Sequence, residues 1–310
     1  LTRLTDSGLS ITEWELFSGI LPPFSDSKWN DYFLLYKSIP QFKLINPNMT
    51  MDEFKVIFYW EYFHRVLGRV IGLSVLIPLL YFHFVKKINK KYLIINYTVL
   101  FLIIFQGFIG WYMVTSGLVN DVTVSHYRLS IHLGVAFIII SIIFWQILNI
   151  RNSYFKNFFN LKIKNVHYFL LLILIFCQVI IGAFVSGLDA GKIYQTWPLM
   201  GSSYIPDDLI VNNFINYFDF DNHSLVQFYH RNLAYIISAY IVFLFLRVFI
   251  FKNYHLYKPV LILFIILLLQ IFLGILTLKS DLHIMIASAH QISSVILVLS
   301  SINLYYSAIK

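Results

Sequence analysis

Seven long apolar runs separated by polar connections set the pattern of this chain. They fall near 60–84, 92–114, 129–149, 167–187, 226–246, 259–278 and 284–306. A helix needs about 20 residues to cross a bilayer, and the runs match that length. Inside lipid only helices and closed barrels satisfy their own backbone groups. The runs lack strict alternation and are too long for barrel strands, so they predict seven transmembrane helices. Two connections are long and polar, at 10–57 and 188–225. The first is expected to hold short interfacial helices, and Thr50-Met-Asp-Glu53 within it has the form of a capping box. The second is long enough to form a lid.

Charge then orients the runs. Alternate connections carry Lys86, Lys87, Lys90 and Lys91, then Arg151, Lys156, Lys162 and Lys164, then Arg247, Lys252 and Lys258, with Lys310 at the tail, and no acidic residue. The 15 Asp and Glu lie on or near the opposite side. By the positive-inside rule the basic set faces the cytoplasm or its equivalent, and segments 1–57, 115–128, 188–225 and 279–283 face outward. With 59% hydrophobic and only 12% charged residues, the lipid bilayer is the solvent that fits. The net charge of +8 does not point to nucleic acid, because the basic residues sit between apolar runs. The single cysteine, Cys177, excludes an intrachain disulfide and a CxxC redox pair.

The chain also repeats itself. Glu61-Tyr-Phe-His-Arg-Val-Leu-Gly68 resembles Gln227-Phe-Tyr-His-Arg-Asn-Leu-Ala234, Gln106-Gly-Phe-Ile-Gly110 resembles Gln270-Ile-Phe-Leu-Gly274, and Ser7-Gly-Leu9 resembles Ser186-Gly-Leu188. His132 and His290 correspond as well. The repeat predicts an all-α polytopic transmembrane bundle of two parallel four-helix halves, 1–150 and 151–310. Seven helices are visible, and the repeat places an eighth, opening helix before Leu1.

Four histidines, His64, His132, His230 and His290, stand near the outer ends of these runs, within roughly 10 Å of the boundary at 1.5 Å per residue. Two facing imidazoles grip a haem iron from above and below, so one pair per half suits two haem sites. A structural, hydrogen-bonded role is the alternative for any one of them. Zinc fits less well, for want of an obvious third protein ligand. His83, His167 and His255 lie at inner boundaries, His223 and His283 in outer loops, and His126 just before a helix.

Glu61 lies three residues before His64, on the same helical face. An ionisable carboxyl at the membrane points to function, and its repeat counterpart, Gln227, is neutral. The difference suggests one reactive site and one purely ligated site; an ion pair with Arg65 or Arg69 is the other reading. Arg65, Arg128 and Arg231 are candidates for haem propionate contacts or for local loop anchoring. Gly110, Gly182 and Gly274 allow close helix or ligand approach. Aromatic residues, 18% of the chain, serve a membrane-interface belt and pockets for a porphyrin or an isoprenoid tail.

Thr2-Arg-Leu-Thr-Asp-Ser-Gly-Leu-Ser10, Glu61-Tyr-Phe-His-Arg65, Gln106-Gly-Phe-Ile-Gly-Trp-Tyr-Met-Val114, Tyr127-Arg-Leu-Ser-Ile-His-Leu133, Tyr229-His-Arg231 and Ala289-His290 together resemble the haem A synthase family, in its mitochondrial and alphaproteobacterial branch. The resemblance implies oxidation of the C8 methyl of haem O to a formyl group, giving haem A for cytochrome oxidase. It implies that His64 and His132 ligate the substrate haem, with Glu61 beside it handling protons, and that His230 and His290 ligate a haem b cofactor that relays electrons. Some relatives carry a cysteine pair in an outer loop; this chain has none. The implied partners are haem O, an electron donor, haem O synthase and cytochrome oxidase assembly factors. The implied location is a bacterial inner membrane, with the mitochondrial inner membrane as alternative. The rival function is a bis-histidine dihaem cytochrome for quinol-linked electron transfer.

Overall fold

Ser25 accepts the backbone N–H of Lys28 at 3.3 Å and opens the first helix, α1 (Asp26–Ser38). Pro40 starts α2 (Pro40–Leu44), where its missing N–H would have had no helical partner anyway. Thr50 then begins α3 (Met51–Phe84) with a complete capping box: the Glu53 N–H donates to Thr50 Oγ1 at 3.4 Å, and the Thr50 N–H donates to Glu53 Oε2 at 2.8 Å. The structure, a computed structural model, describes residues 2–15, 18–118, 122–209 and 213–309. Lys310 of the basic set and Leu1, with which the sequence begins, lie outside them.

The 34 residues of α3 span about 50 Å, against a hydrocarbon core of about 30 Å. This corrects the start expected near residue 60. Asp52, Glu53 and Lys55 keep the first turns out of any apolar window, yet the capping box folds them into the same helix. The remaining long helices are α4 (Lys90–Gly117), α5 (His126–Arg151), α6 (Val166–Gly187), α7 (His223–Ile250), α8 (Tyr254–Lys279) and α9 (Ile284–Ala308). With α3 they make seven helices long and apolar enough to span a membrane among the described residues. The protein is an all-α integral membrane bundle.

Two compact units divide the chain, Leu1–Val135 and Ala136–Lys310, so α5 begins in one and continues into the other. In the first unit the overhanging turns of α3 are buried rather than bare. Phe54 and Phe58, one turn apart, meet Trp29, Phe33 and Tyr36, which share one face of α1. Phe33 stacks on Phe54 at 5.0 Å, and Trp29 meets Phe58 edge-on at 4.9 Å. Full burial of each such side chain contributes on the order of 2 kcal/mol. The buried Tyr36 hydroxyl is not orphaned: it donates to Gln41 Oε1 and accepts from Asn46 Nδ2 at 2.9 Å. Leu9 and Ile11 of the outer segment complete this cap.

In the second unit α6 packs on α7, α7 on α8, α8 on α9, and α9 back on α6. Buried side chains crowd the ends near the basic connections: Ile237, Ile241, Leu244 and Val248 of α7, Leu256, Val260, Leu263 and Leu267 of α8, and Leu297 to Tyr306 of α9. Lys156 locks that end. Its ammonium donates to the Tyr306 carbonyl at 3.1 Å and to the Ile309 carbonyl, where a helix C-terminus favours a cation. Burial holds its pKa below the usual lysine range. At the opposite ends packing loosens: among the described residues α7 has none buried between Gln227 and Ile237, and α9 none before Ser293. The histidines lie in those stretches. Outward faces expose Phe101, Ile104, Phe108, Ile265 and Phe272, a surface that suits lipid rather than water.

Candidate functional site

His64 of α3 and His132 of α5 face one another, with ring centres 6.4 Å apart and planes inclined at 63°. Metal–nitrogen bonds are about 2 Å and each ring centre lies roughly 1.1 Å behind its nitrogen, so two imidazoles sharing one iron stand about 6 Å apart. The observed spacing fits. His230 of α7 and His290 of α9 lie in the second unit, each with its ring against a glycine of a neighbouring helix.

Three of these rings rest on a glycine of a neighbouring helix. A Cβ added at Gly110 would stand 3.3 Å from His132 Cε1, one at Gly182 would stand 3.1 Å from His230 Cε1, and one at Gly274 would stand 3.1 Å from His290 Cε1. The Nδ1 nitrogens of His132 and His290 are buried and find no hydrogen-bond partner among the described residues. One turn before each glycine a glutamine grips the histidine's own backbone. Gln106, Gln178 and Gln270 donate their side-chain amides to the carbonyls of His132, His230 and His290 at 2.8, 2.9 and 3.1 Å. Gln178 is the residue sequence reading missed. Its Gln-x3-Gly spacing to Gly182 is the same as at 106–110 and 270–274, and that spacing was the available signal.

This donor set suits a haem. No cluster of three or more His, Cys, Asp or Glu converges as for a polydentate metal ion among the described residues. A porphyrin needs only the two axial nitrogens, and glycine leaves flat walls beside them.

Glu61 is 3% exposed and fully engaged. Its Oε2 accepts from the Ser10 hydroxyl and the Ile11 N–H, both at 2.8 Å, and its Oε1 accepts from Arg65 Nε at 3.0 Å and from a terminal Arg65 nitrogen at 2.5 Å. Of the two readings the sequence left open for this carboxyl, the ion pair with Arg65 is present. Arg65 also donates to the Ile11 carbonyl at 2.9 Å and the Glu13 carbonyl at 3.4 Å, and lies over the Trp14 ring. Arg69, a turn further, holds the carbonyls of Gly19 and Glu15. The ladder Glu61–Arg65–Arg69 thus ties residues 10–19 to α3. Beside it lies a cavity of about 20 Å³, lined by Glu13, Glu15, Tyr32, Arg65 and Arg69 among others, room for about one water. Burial, and then the nearby Glu15 carboxylate, push the Tyr32 hydroxyl pKa up. Arg128 donates to the Ser116 hydroxyl at the end of α4 and lies over the Tyr112 ring.

The second unit repeats the tether with other chemistry. The Gln227 amide donates to the Tyr194 carbonyl at 2.8 Å, and Arg231 donates to the carbonyls of Tyr194, Thr196 and Leu199. The three arginines considered for propionates therefore include two, Arg65 and Arg231, whose guanidiniums hold outer-segment carbonyls.

Fold and site together define a helical integral membrane protein with two facing histidines, His64 and His132, in its first compact unit. The family described as cytochrome oxidase assembly protein, COX15-CtaA, matches residues 1–302, and the chain belongs to it. A relative from Pelagibacter ubique named "Heme A synthase" is 51% identical over 301 residues, covering 97% of this chain and 88% of its own. Relatives of the same name from Rickettsia bellii and Wolbachia pipientis are each 42% identical, over 100% and 97% of this chain and 92% and 85% of theirs.

Proposed function

We propose that this protein is an oxidoreductase that converts haem O to haem A, in line with the printed name of its relatives, by oxidising the C8 methyl to a formyl group. His64 and His132 hold the substrate in the N-terminal half (1–150), and His230 and His290 hold haem b in the C-terminal half (151–310). One observation carries the reading: His64 and His132 face one another with ring centres 6.4 Å apart, a distance that two ligands of one iron would share.

When bound, haem b would supply one-electron transfer between an external donor and the substrate half, and the oxidation then needs an oxidant of the dioxygen class, which takes up the donor's electrons and those of the methyl and is reduced to water. The chain's own residues do the rest. His64 of α3 and His132 of α5 would hold the substrate haem between them by its iron. Glu61 and Arg65 hold residues 10–13 against the His64 helix. A proton reaching Glu61 Oε2 has the Ser10 hydroxyl as its neighbour, 2.8 Å away. Arg128, one turn before His132 on the same face, is the propionate partner in the substrate half. The location that goes with bacterial relatives is the inner membrane, with the basic ends cytoplasmic and both haem sites near the outer face. Haem O synthase and oxidase assembly factors are the matching protein partners.

The test is pigment extraction. Membranes expressing this chain and supplied with haem O should yield haem A on chromatography. Haem B alone, with quinol-linked reduction, would replace the synthase with a dihaem cytochrome.

A further inference from the structure

Three helix joints in this molecule are built alike. In each, a glutamine holds a histidine's carbonyl and a glycine one turn on lies under that histidine's ring: 106 and 110 under His132, 178 and 182 under His230, 270 and 274 under His290. We propose that each Gln-x3-Gly pair is a seat that sets the ring plane of the histidine opposite, and so the orientation in which that ring meets a haem iron, an inference that rests on the haem reading above.

Two contacts on one residue fix an orientation. The amide fixes where the histidine's backbone sits along and around its helix. The bare glycine lets one ring edge drop against the neighbouring helix. The edge is the same each time: Cε1 lies nearest the glycine position, and Nδ1 follows at 3.9 Å for His132, 3.6 Å for His230 and 3.5 Å for His290. The nitrogens are less sharply sorted: at His290 Nε2 itself lies 3.7 Å from the glycine position, and at His230 the Gln178 amide stands 3.4 Å from Nε2, so what the seat fixes is the plane of the ring. An alanine would bring its methyl to 3.1–3.3 Å from the ring, closer than ordinary carbon contact at about 3.5–4.0 Å, so the ring must tilt. Outer contacts of this kind orient metal-ligating histidines and set their affinity.

The seats differ in two respects. At His290 the Ser293 hydroxyl bonds both Gln270 Oε1, at 2.5 Å, and the His290 carbonyl, at 3.0 Å. The residues three after His132 and His230 are Val135 and Leu233, which have no hydroxyl to offer. At His230 the Gln178 amide instead reaches the ring, 3.1 Å from Nδ1 and 3.4 Å from Nε2.

The experiment compares the haem-loaded full chain with Gly182→Ala, Gly274→Ala and Gln178→Met, and with Gly107→Ala as control, where a Cβ meets nothing within 4 Å. Helix content by circular dichroism, haem b per protein and the low-field electron paramagnetic resonance g value are read together. The seat variants should keep their helices, hold haem b about tenfold more weakly and shift the g value, while Gly107→Ala matches the parent. Should either alanine variant unfold, the milder Gln178→Met decides by its g value. Parent-like haem content and g values in the seat variants, or an equal shift in Gly107→Ala, would overturn the seat. A parent without low-spin haem overturns the haem reading and the seat with it, whereas a bis-histidine parent with unchanged variants overturns the seat alone.

Discussion

The two halves fasten their outer segments to a histidine helix by opposite chemistry. In the first, a carboxylate accepts the Ile11 N–H and an adjacent arginine takes the carbonyls of Ile11 and Glu13. In the second, an amide donates to the Tyr194 carbonyl, and the arginine adds Thr196 and Leu199. The arginine, one residue after the histidine, is common to both; the partner three residues before the histidine is not. The lesson is that Glu61 need not be read as reactive merely because it is buried and ionisable. Its burial is satisfied by four hydrogen bonds, and the tether alone is reason for a polar group there.

The largest effect should come from the ligands themselves. His290→Ala should abolish the low-spin haem of the C-terminal half while the fold survives, and His132→Ala should abolish haem A formation with the C-terminal haem retained. Pyridine haemochrome counts and chromatography check both, and equal losses of both pigments in each variant would break the division between halves.

Next come the tethers. Glu61→Gln leaves Arg65 without its buried counter-charge and should cost on the order of 3 kcal/mol. Gln227→Leu gives up one neutral hydrogen bond and should cost about 1 kcal/mol. Thermal unfolding in detergent and protease nicking within residues 10–15 or 194–199 read these separately. Gln227→Glu should loosen the second tether, since a carboxylate meets a carbonyl oxygen there; a tightened loop would show the two chemistries to be interchangeable.

Helix starts offer a smaller contrast. Thr50 caps α3 with a reciprocal box, while Asn222 caps α7 by accepting the Leu225 N–H at 3.0 Å. Thr50→Ala and Asn222→Ala should each lower stability by about 1 kcal/mol; a much larger loss at Thr50 would show that the aromatic cap unravels with it.

The smallest effect is acid loosening of the second outer segment. Asp208 is partly desolvated, which raises its pKa, but hydrogen bonds from Ser224 and Tyr194 outweigh this and hold it below the ordinary carboxylate range. A depressed carboxyl contributes stability that is complete above the unfolded value of about 3.9 and disappears as pH falls through the folded value. Protease nicking near 200–209 should therefore rise below about pH 4, and Asp208→Asn should remove that dependence.

Much of this was legible along the chain. Apolar runs of 20 or more residues marked the seven helices, because lipid leaves few other solutions. The repeat paired the four histidines. The overhang of α3 was hidden, since Asp52, Glu53 and Lys55 look like a loop until α1 supplies the aromatic surface against which Phe54 and Phe58 close. The tethers were hidden for another reason: they join side chains to backbone atoms some 30 to 55 residues away, and carbonyls carry no sequence signal. Gln178 stood in view, but its meaning depended on a ring 52 residues later.

One consequence follows from the unbroken length of α3. From Thr50 to His64 there is no proline or glycine, and Pro78 lies beyond the histidine, toward Phe84. The aromatic cap and the imidazole thus sit on one stiff rod, and a shift of α1 that carried Phe54 and Phe58 with it would turn His64 as well.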